Sequence, residues 1–324
     1  MLQFVKKTWL YTALAIATLG GLVAGPAHAV DVDKLIPADA ESVVGIQFKQ
    51  ILEAPILKKF GIDGLARLAV EANEEVQKLI KATGINPFND LDSITIGSSG
   101  NPEKGIKAVV VLRGKFNPAK IAKTIEDKAK EVGTEVKKIN EGGKTIWTAA
   151  AQGQEVFLAF IDNNAIVAST VKDHVISALK GGRGSSEKFA GPMEAGLAKI
   201  TGKEILWSVS IITEEARKQM ATQEQFKEIG DNLNSITLTL GLTDVAKATL
   251  IAYTKDDKTA TKIKELLTEQ GIPFAKLMVS GDPKNAKNMG KVLDALKVEA
   301  KDKEISIQIR VTEDDIRKLI NPGE

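Results

Sequence analysis

The sequence predicts an α+β fold made of two tandem copies of one unit, each an antiparallel sheet with its helices mainly on one face. Three observations predict it. The phrase "LDSITIGSSG", beginning at Leu91, returns as "LNSITLTLGL" at Leu233. Each phrase is followed by a second strand, a helix and a glycine in the same order. Adjacent strands are joined by short turns, and helices fall between groups of strands rather than after every strand, which favours antiparallel pairing over a doubly wound parallel sheet.

The elements follow in order. Lys6 and Lys7, the apolar run "LYTALAIATLGGLVAG" and the closing "AHA" are the parts of a secretory signal peptide over residues 1–29, cleaved after Ala29. The run is shorter than the roughly 20 residues of a bilayer-spanning helix, so no transmembrane segment is expected after cleavage. The first unit is read over residues 30–184. It opens with a strand at Ser42–Phe48, and a helix follows whose apolar residues fall at 65, 68, 69, 72, 76, 79 and 80. "NPFNDLD" (Asn86–Asp92) turns the chain into the repeated strand. The next helix has Asn117 as N-cap and Pro118 in its first turn, where the missing N–H has no helical partner. Its stripe is Ile121, Ile125 and Ala129, and Gly133 can take the left-handed cap. Hairpins are expected at Gly142–Gly143 and Asp162–Asn164. The Gly/Ser-rich stretch Gly181–Pro192 reads as a link to the second unit, 185–324. There a strand at Glu204–Ile211 precedes the repeated phrase, and a helix capped by Asp256 or Asp257 closes at Gly271. Thr170 with Asp173, and Thr312 with Asp315, have capping-box spacing.

The two copies differ in their strand faces. In the second, Ile305, Ile307, Ile309 and Val311 alternate with Glu304, Ser306, Gln308 and Arg310. Ile236, Leu238 and Leu240 likewise alternate with Ser235, Thr237 and Thr239. Such alternation predicts one face on the core and one in water, with Ser93 and Thr95 of the first copy also outward. Thr237, Thr239, Ser306, Gln308 and Arg310 are therefore the candidate ligand or partner face. In the first copy "KAVVVL", "VFLAFI" and "AIVA" are apolar on both faces. The insertion helices, the second copy or a ligand must cover the extra face.

Composition narrows the function. There are 44 Lys and Arg against 42 Asp and Glu, and two of the lysines lie in the leader, so the remainder is balanced and gives no reason to propose a nucleic-acid partner. The chain has no cysteine, so neither a disulfide framework nor a cysteine zinc site is available. One histidine, His174, lies beyond the leader; a Ser–His–Asp triad would need it as base, and no G-x-S-x-G elbow accompanies it. "EGGKT" (Glu141–Thr145) ends like a phosphate-binding loop but has Lys138 where the first glycine belongs and a strand where the helix belongs. "NPFNDLD" lacks the spacing and terminal Glu of a calcium loop. Trp147 and Trp207 read as strand core. No cofactor or metal is expected.

The "P-A-D" before the first strand (Pro37–Asp39), the Gly-Ile-Asn-Pro turn before "LDSITI" and the "RGKF" ending of the next strand (Arg113–Phe116) resemble a class of exported bacterial proteins of unknown function. The resemblance runs over residues 35 to 180 and brings no catalytic residues with it. The first reading is an exported, non-enzymatic binding or scaffold protein, periplasmic or extracellular, with a protein or apolar-ligand partner. The alternatives are a carrier of an apolar or lipid ligand, and an envelope hydrolase whose carboxylates only the fold brings together. Whether the chain is an enzyme stays open, leaning against.

Overall fold

The computed structural model describes residues 32–324 apart from 62–63, 65–76, 78–79, 82–83, 102–104, 132, 134, 152–153, 185–186, 223, 281–289, 291–292 and 321–324. The leader, most of the 65–80 helix stripe and part of the Gly/Ser link lie outside the described residues. The chain forms two compact units, Asp31–Glu194 and Ala195–Glu324.

In the first unit β1 (Ser42–Ile46) leads into α1 (Phe48–Glu53), α2 (Pro55–Lys59) and α3 (Pro87–Asp90). Then come β2 (Leu91–Asn101), β3 (Gly105–Gly114), α4 (Pro118–Glu131), β4 (Lys137–Glu141), β5 (Lys144–Ala151), β6 (Gln154–Asp162), β7 (Ala165–Ser169) and α5 (Lys172–Leu179). The spatial order is β1-β2-β3-β7-β6-β5-β4, with every neighbouring pair antiparallel. After α6 (Gly191–Leu197), the second unit has β8 (Leu206–Ile211), α7 (Glu214–Ala221), α8 (Glu224–Asn232), β9 (Leu233–Leu242), β10 (Ala246–Thr254) and α9 (Asp257–Leu266). It ends with α10 (Ile272–Ser280), β11 (Lys297–Lys301), β12 (Glu304–Val311) and α11 (Glu313–Ile320). Its order is β8-β9-β10-β12-β11, again antiparallel. This is the order β1-β2-β3-β7-β6 of the first unit, which adds the β4–β5 hairpin at its far side.

The repeated phrase begins with a bulge in both units. Pairing steps from Ser93↔Arg113 to Leu91↔Gly114, and from Ser235↔Tyr253 to Leu233↔Thr254, so Asp92 and Asn234 are each an extra residue. The same backbone bond closes both bulges: Lys115 N–H donates to the Asp90 carbonyl at 2.8 Å, and Lys255 N–H to that of Asn232 at 2.9 Å. A leucine three residues before an isoleucine would face away from it in a regular strand. The bulge turns Leu233 onto the side of Ile236, where both join Ile212, Ala252, Ala260, Ile263 and Ile305. Leu91 likewise reaches the cluster of Phe116, Ile121 and Ile166 beneath α4.

Several caps form as their residues dictate. The Asn117 side chain accepts from Lys120 N–H at 3.0 Å, and Asp256 from Thr259 N–H at 2.7 Å. The bond to Thr259 holds the Asp256 carboxyl below its ordinary range. Thr312 and Asp315 form the reciprocal box, with Thr312 N–H on the carboxylate and Asp315 N–H on the hydroxyl. Thr170 does otherwise: its N–H donates to the Ala108 carbonyl and its hydroxyl accepts from Ala108 N–H, so it prolongs β7 along β3. Nor does Gly271 stop its helix. A π turn at Leu267–Gly271 carries α9 into α10. Pro273 withdraws the N–H that would have bonded the carbonyl four residues back, and the wider turn takes up the mismatch.

The expected division into a core face and a wet face is corrected. Thr95 is 7% exposed, Ser235 and Thr237 0%, and Thr239 9%, so the Ser/Thr side is interior in both units. In the first unit residues 32–40 lie across it: Val32, Leu35, Ile36 and Ala40 are buried, and Ile36 sits on Gly97. Arg113 grips Asp33 from the sheet with two bonds, 2.6 and 2.9 Å, while Arg183, after α5, donates to the Ile36 and Val32 carbonyls. α5 adds His174 to the same side, against Ser169. Helices thus flank both faces, α4 on one and α5 on the other, where they were expected mainly on one.

Candidate functional site

Register brings the five sequence-chosen residues onto one sheet face. Trp207, Thr239, Thr249, Gln308 and Lys297 form one cross-strand row. Val209, Thr237, Ile251, Ser306 and Glu299 form the next. The rows are not uniformly accessible. The β8–β9 end is sealed by the last turn of α6: a Cβ on Gly196 would stand 2.4 Å from Val209 Cγ1 and 2.6 Å from Thr237 Oγ1, and Tyr253 donates its hydroxyl to the Ala195 carbonyl at 3.3 Å. Burial raises the Tyr253 pKa, and the nearby Glu304 charge adds to it. Thr237 and Thr239 are therefore interior rather than surface residues. Ser306 and Gln308 are half-buried, and Arg310 is exposed. The accessible part of the face lies on β12 and β11, where Lys297, Glu299 and Lys301 are exposed as well.

Three buried polar atoms on this face have no hydrogen-bond partner among the described residues: Trp207 Nε1, Thr237 Oγ1 and Gln308 Oε1. An unpartnered buried hydroxyl is a net cost that an isosteric methyl removes. Thr237→Val is expected to leave the urea unfolding midpoint unchanged or to raise stability by up to about 1 kcal/mol. A loss of similar size would mean that Thr237 makes a bond essential to this face.

The triad, phosphate-loop and calcium-loop candidates are held in structural contacts. Ser169 Oγ donates to the Ala108 carbonyl at 2.7 Å and accepts from Val171 N–H at 3.0 Å. His174 Nδ1 stands 3.3 Å from the same oxygen. With the serine proton given to Ala108, His174 can only donate there, the reverse of a general base. Burial lowers the His174 pKa, against the nearby Asp39 charge. "EGGKT" is the β4–β5 hairpin, with Gly142 and Gly143 at φ 57° and 79°, and Lys144 Nζ donates to the Ile161 carbonyl. Trp147 is half-buried and meets Phe160 edge-on at 5.2 Å. In "NPFNDLD", Asn86 caps α3 through Phe88 N–H, and its own N–H donates to Asp90 Oδ2.

Sequence reasoning missed two features. The first is an open cleft of about 380 Å³ between Gly84–Ile85 and the start of α4, with Lys115 and Lys120 on its rim and Phe116 and Ile121 in its floor. Both flanking turns were legible as punctuation, but only the β2–β3 pairing sets them face to face. The second is α10, where Phe274 is 63% and Leu277 69% exposed, three residues apart on one helix side. A helix expected to end at Gly271 gives no sign of this segment. Among the described residues no helix is long and apolar enough to cross a membrane.

No family model matches the chain, and no curated protein matches it. Among solved structures, crystal form III of TP0453 is similar with a TM-score of 0.49 and 9% sequence identity, over 90% of this chain and 98% of that one. At that level of similarity neither a ligand nor a role carries over to this chain.

Proposed function

We propose that the chain is an exported, non-enzymatic binding protein of the bacterial envelope, that its two units are copies of one ancestral unit, and that α10 is its main contact surface. The observation that carries this reading is the pair Phe274 and Leu277, held in water on a formed helix. Covering them would gain about 25 cal/mol per Å² of apolar surface removed from water. The partner is a protein with an apolar groove. The one cation between the two side chains, Lys276, is already paired with Asp294 at 2.5 Å, so this turn of the helix offers little charge to anionic lipid. Ser306, Gln308 and Arg310 would supply a separate polar contact. Export rests on the 1–29 leader, and the duplication is supported by the shared strand order and the paired bulges.

A photo-crosslinking residue placed at Leu277 tests the reading in cells. The expected result is a crosslink to one protein, identified by mass spectrometry and lost when Phe274→Asp is added. The mature chain should begin at Val30. Crosslinks no stronger than from a probe at the exposed Lys258, or transfer to lipid alone, would overturn it. A second reading, an apolar-ligand carrier, draws on the half-buried cross-strand row of Leu238, Leu250, Ile307 and Val298. Native mass spectrometry of the exported protein would show the bound molecule.

A further inference from the structure

The outermost strand of the first unit has a free edge whose sequence fits a second copy of itself. β4 pairs with β5 on one side and, among the described residues, has no strand on the other. The two-residue turn at Gly142–Gly143 decides which backbone groups face that open edge. In such a hairpin the closing pair, Glu141 and Lys144, exchanges both of its hydrogen bonds. Bonding then alternates, so Lys137, Ile139 and Glu141 spend their N–H and C=O groups on β5. Lys138 and Asn140 direct theirs outward.

We infer that the protein forms a two-fold dimer through antiparallel pairing of β4 with β4 of a second copy, with Ile139 on the axis. In that register Lys138 of each chain lies opposite Asn140 of the other, and these residues hold the outward backbone groups. Lys137 meets Glu141 twice, once on each side of the axis, and Ile139 meets itself. Ile139 already continues an apolar row through Ile146 and Ala159, both 0% exposed, so the contact joins the interior layers of the two sheets. The other registers that respect the bonding alternation are poorer. Centring on Lys138 sets Lys138 against Lys138 and Glu135 against Glu141. Centring on Asn140 sets Ile139 against Glu141. Like charges directly opposite each other destabilise a strand pair, and opposite charges stabilise it.

The edge strand of the second unit is an internal contrast. β11 reads "KVEAK", and its pairing with β12 turns at Asp302–Lys303, giving the same bonding alternation. Self-pairing about its centre would set Glu299 on Glu299 and Lys297 on Lys301. That centred register opposes like charges, and only registers shifted to Val298 or Ala300, which pair fewer residues of this short strand, set Lys297 or Lys301 opposite Glu299. Lys138 can keep its ion pair with Glu126, 2.7 Å away on α4, because that contact lies on the opposite sheet face from Ile139. The dimer edge belongs to the first unit and the α10 surface proposed above to the second.

Because the chain has no cysteine, Ile139→Cys introduces a single thiol, and on the axis it meets its own copy. Mild oxidation should give a disulfide-linked dimer, whereas the same substitution at the exposed Lys258 should not. Sedimentation of the mature protein should give twice the chain mass. Asn140→Pro removes an outward N–H at an edge where proline is tolerated, and should leave monomer. Lys137→Glu alone should also leave monomer, and Lys137→Glu with Glu141→Lys should restore the dimer. Circular dichroism of each variant confirms that it is folded. A mature protein that is monomeric at every concentration, or a dimer indifferent to Asn140→Pro and to both charge variants, would overturn the inference.

Discussion

Gly114→Ala is expected to lower stability by about 3 kcal/mol, near the upper end of the cost of forcing extra atoms into packed structure. A Cβ on Gly114 would stand 1.8 Å from the Asp90 carbonyl oxygen and 3.1 Å from Leu91 Cα. These are backbone atoms, so no rotamer change relieves the contact. Nor can the carbonyl easily withdraw, since it accepts from Lys115 N–H and helps close the bulge that directs Leu91 into the α4 cluster. The second unit has Thr254 at the paired position, with its hydroxyl on the Lys303 carbonyl at 3.0 Å. The need for glycine therefore belongs to the Asp90 carbonyl and not to the repeated phrase. Gly191→Ala is the control: among the described residues no atom beyond its chain neighbours and its own helix backbone lies within 4 Å of its added Cβ, and its effect should stay within about 0.5 kcal/mol. Equal urea midpoints for the two variants would remove the steric explanation.

Arg113→Met should cost about 2 kcal/mol and loosen residues 32–40 from the sheet. The Arg113 guanidinium makes both of its bonds to Asp33, whose side chain is 10% exposed. Removing the arginine leaves that carboxylate nearly out of water with its strongest partner gone. The hydrogen bond to Asp33 is also the main cause of the raised Arg113 pKa, with the Asp162 charge adding to it. Arg113 is a third exposed, so the cost is set below that of breaking a fully buried pair. Two measurements separate this from a general loss of packing. Limited proteolysis should cut Arg113→Met faster between Val32 and Ala40 than elsewhere in the first unit. In the double variant, Asp33→Asn should recover part of the lost stability, because it removes the stranded charge. If the double variant is as unstable as the two single losses summed, the pair is not coupled and the account fails.

The repeated phrase shows how far the chain could be read. Local rules were sufficient for most of the strands, the hairpins at Gly142–Gly143 and Asp162–Asn164, and the caps at Asn117, at Asp256 or Asp257, and at Thr312, since each depends on residues within a few positions of one another. Alternation also puts Thr237, Thr239, Ser306, Gln308 and Arg310 on a shared face, as the strand pairing does. It could not say what lies over that face. A row of Ser and Thr reads as solvent-facing because hydroxyls are usually hydrated. Here α6 covers Thr237, and Ile36 and Ala40 cover Gly97 on the side that carries Thr95, segments distant in sequence that no periodicity connects to them.

What the sequence determined by itself is the class of the fold, the repeated order of elements and the alternation of side chains between strand faces, because two-residue alternation and caps are local chemistry. The tertiary structure decided which face is buried, how deeply, and which turns meet. It also decided that Leu91 and Leu233 share a side with isoleucines three residues on. A single extra residue at Asp92 and at Asn234 reverses the alternation, and only pairing with Gly114 and Thr254 across the hairpin reveals that those residues are the extra ones.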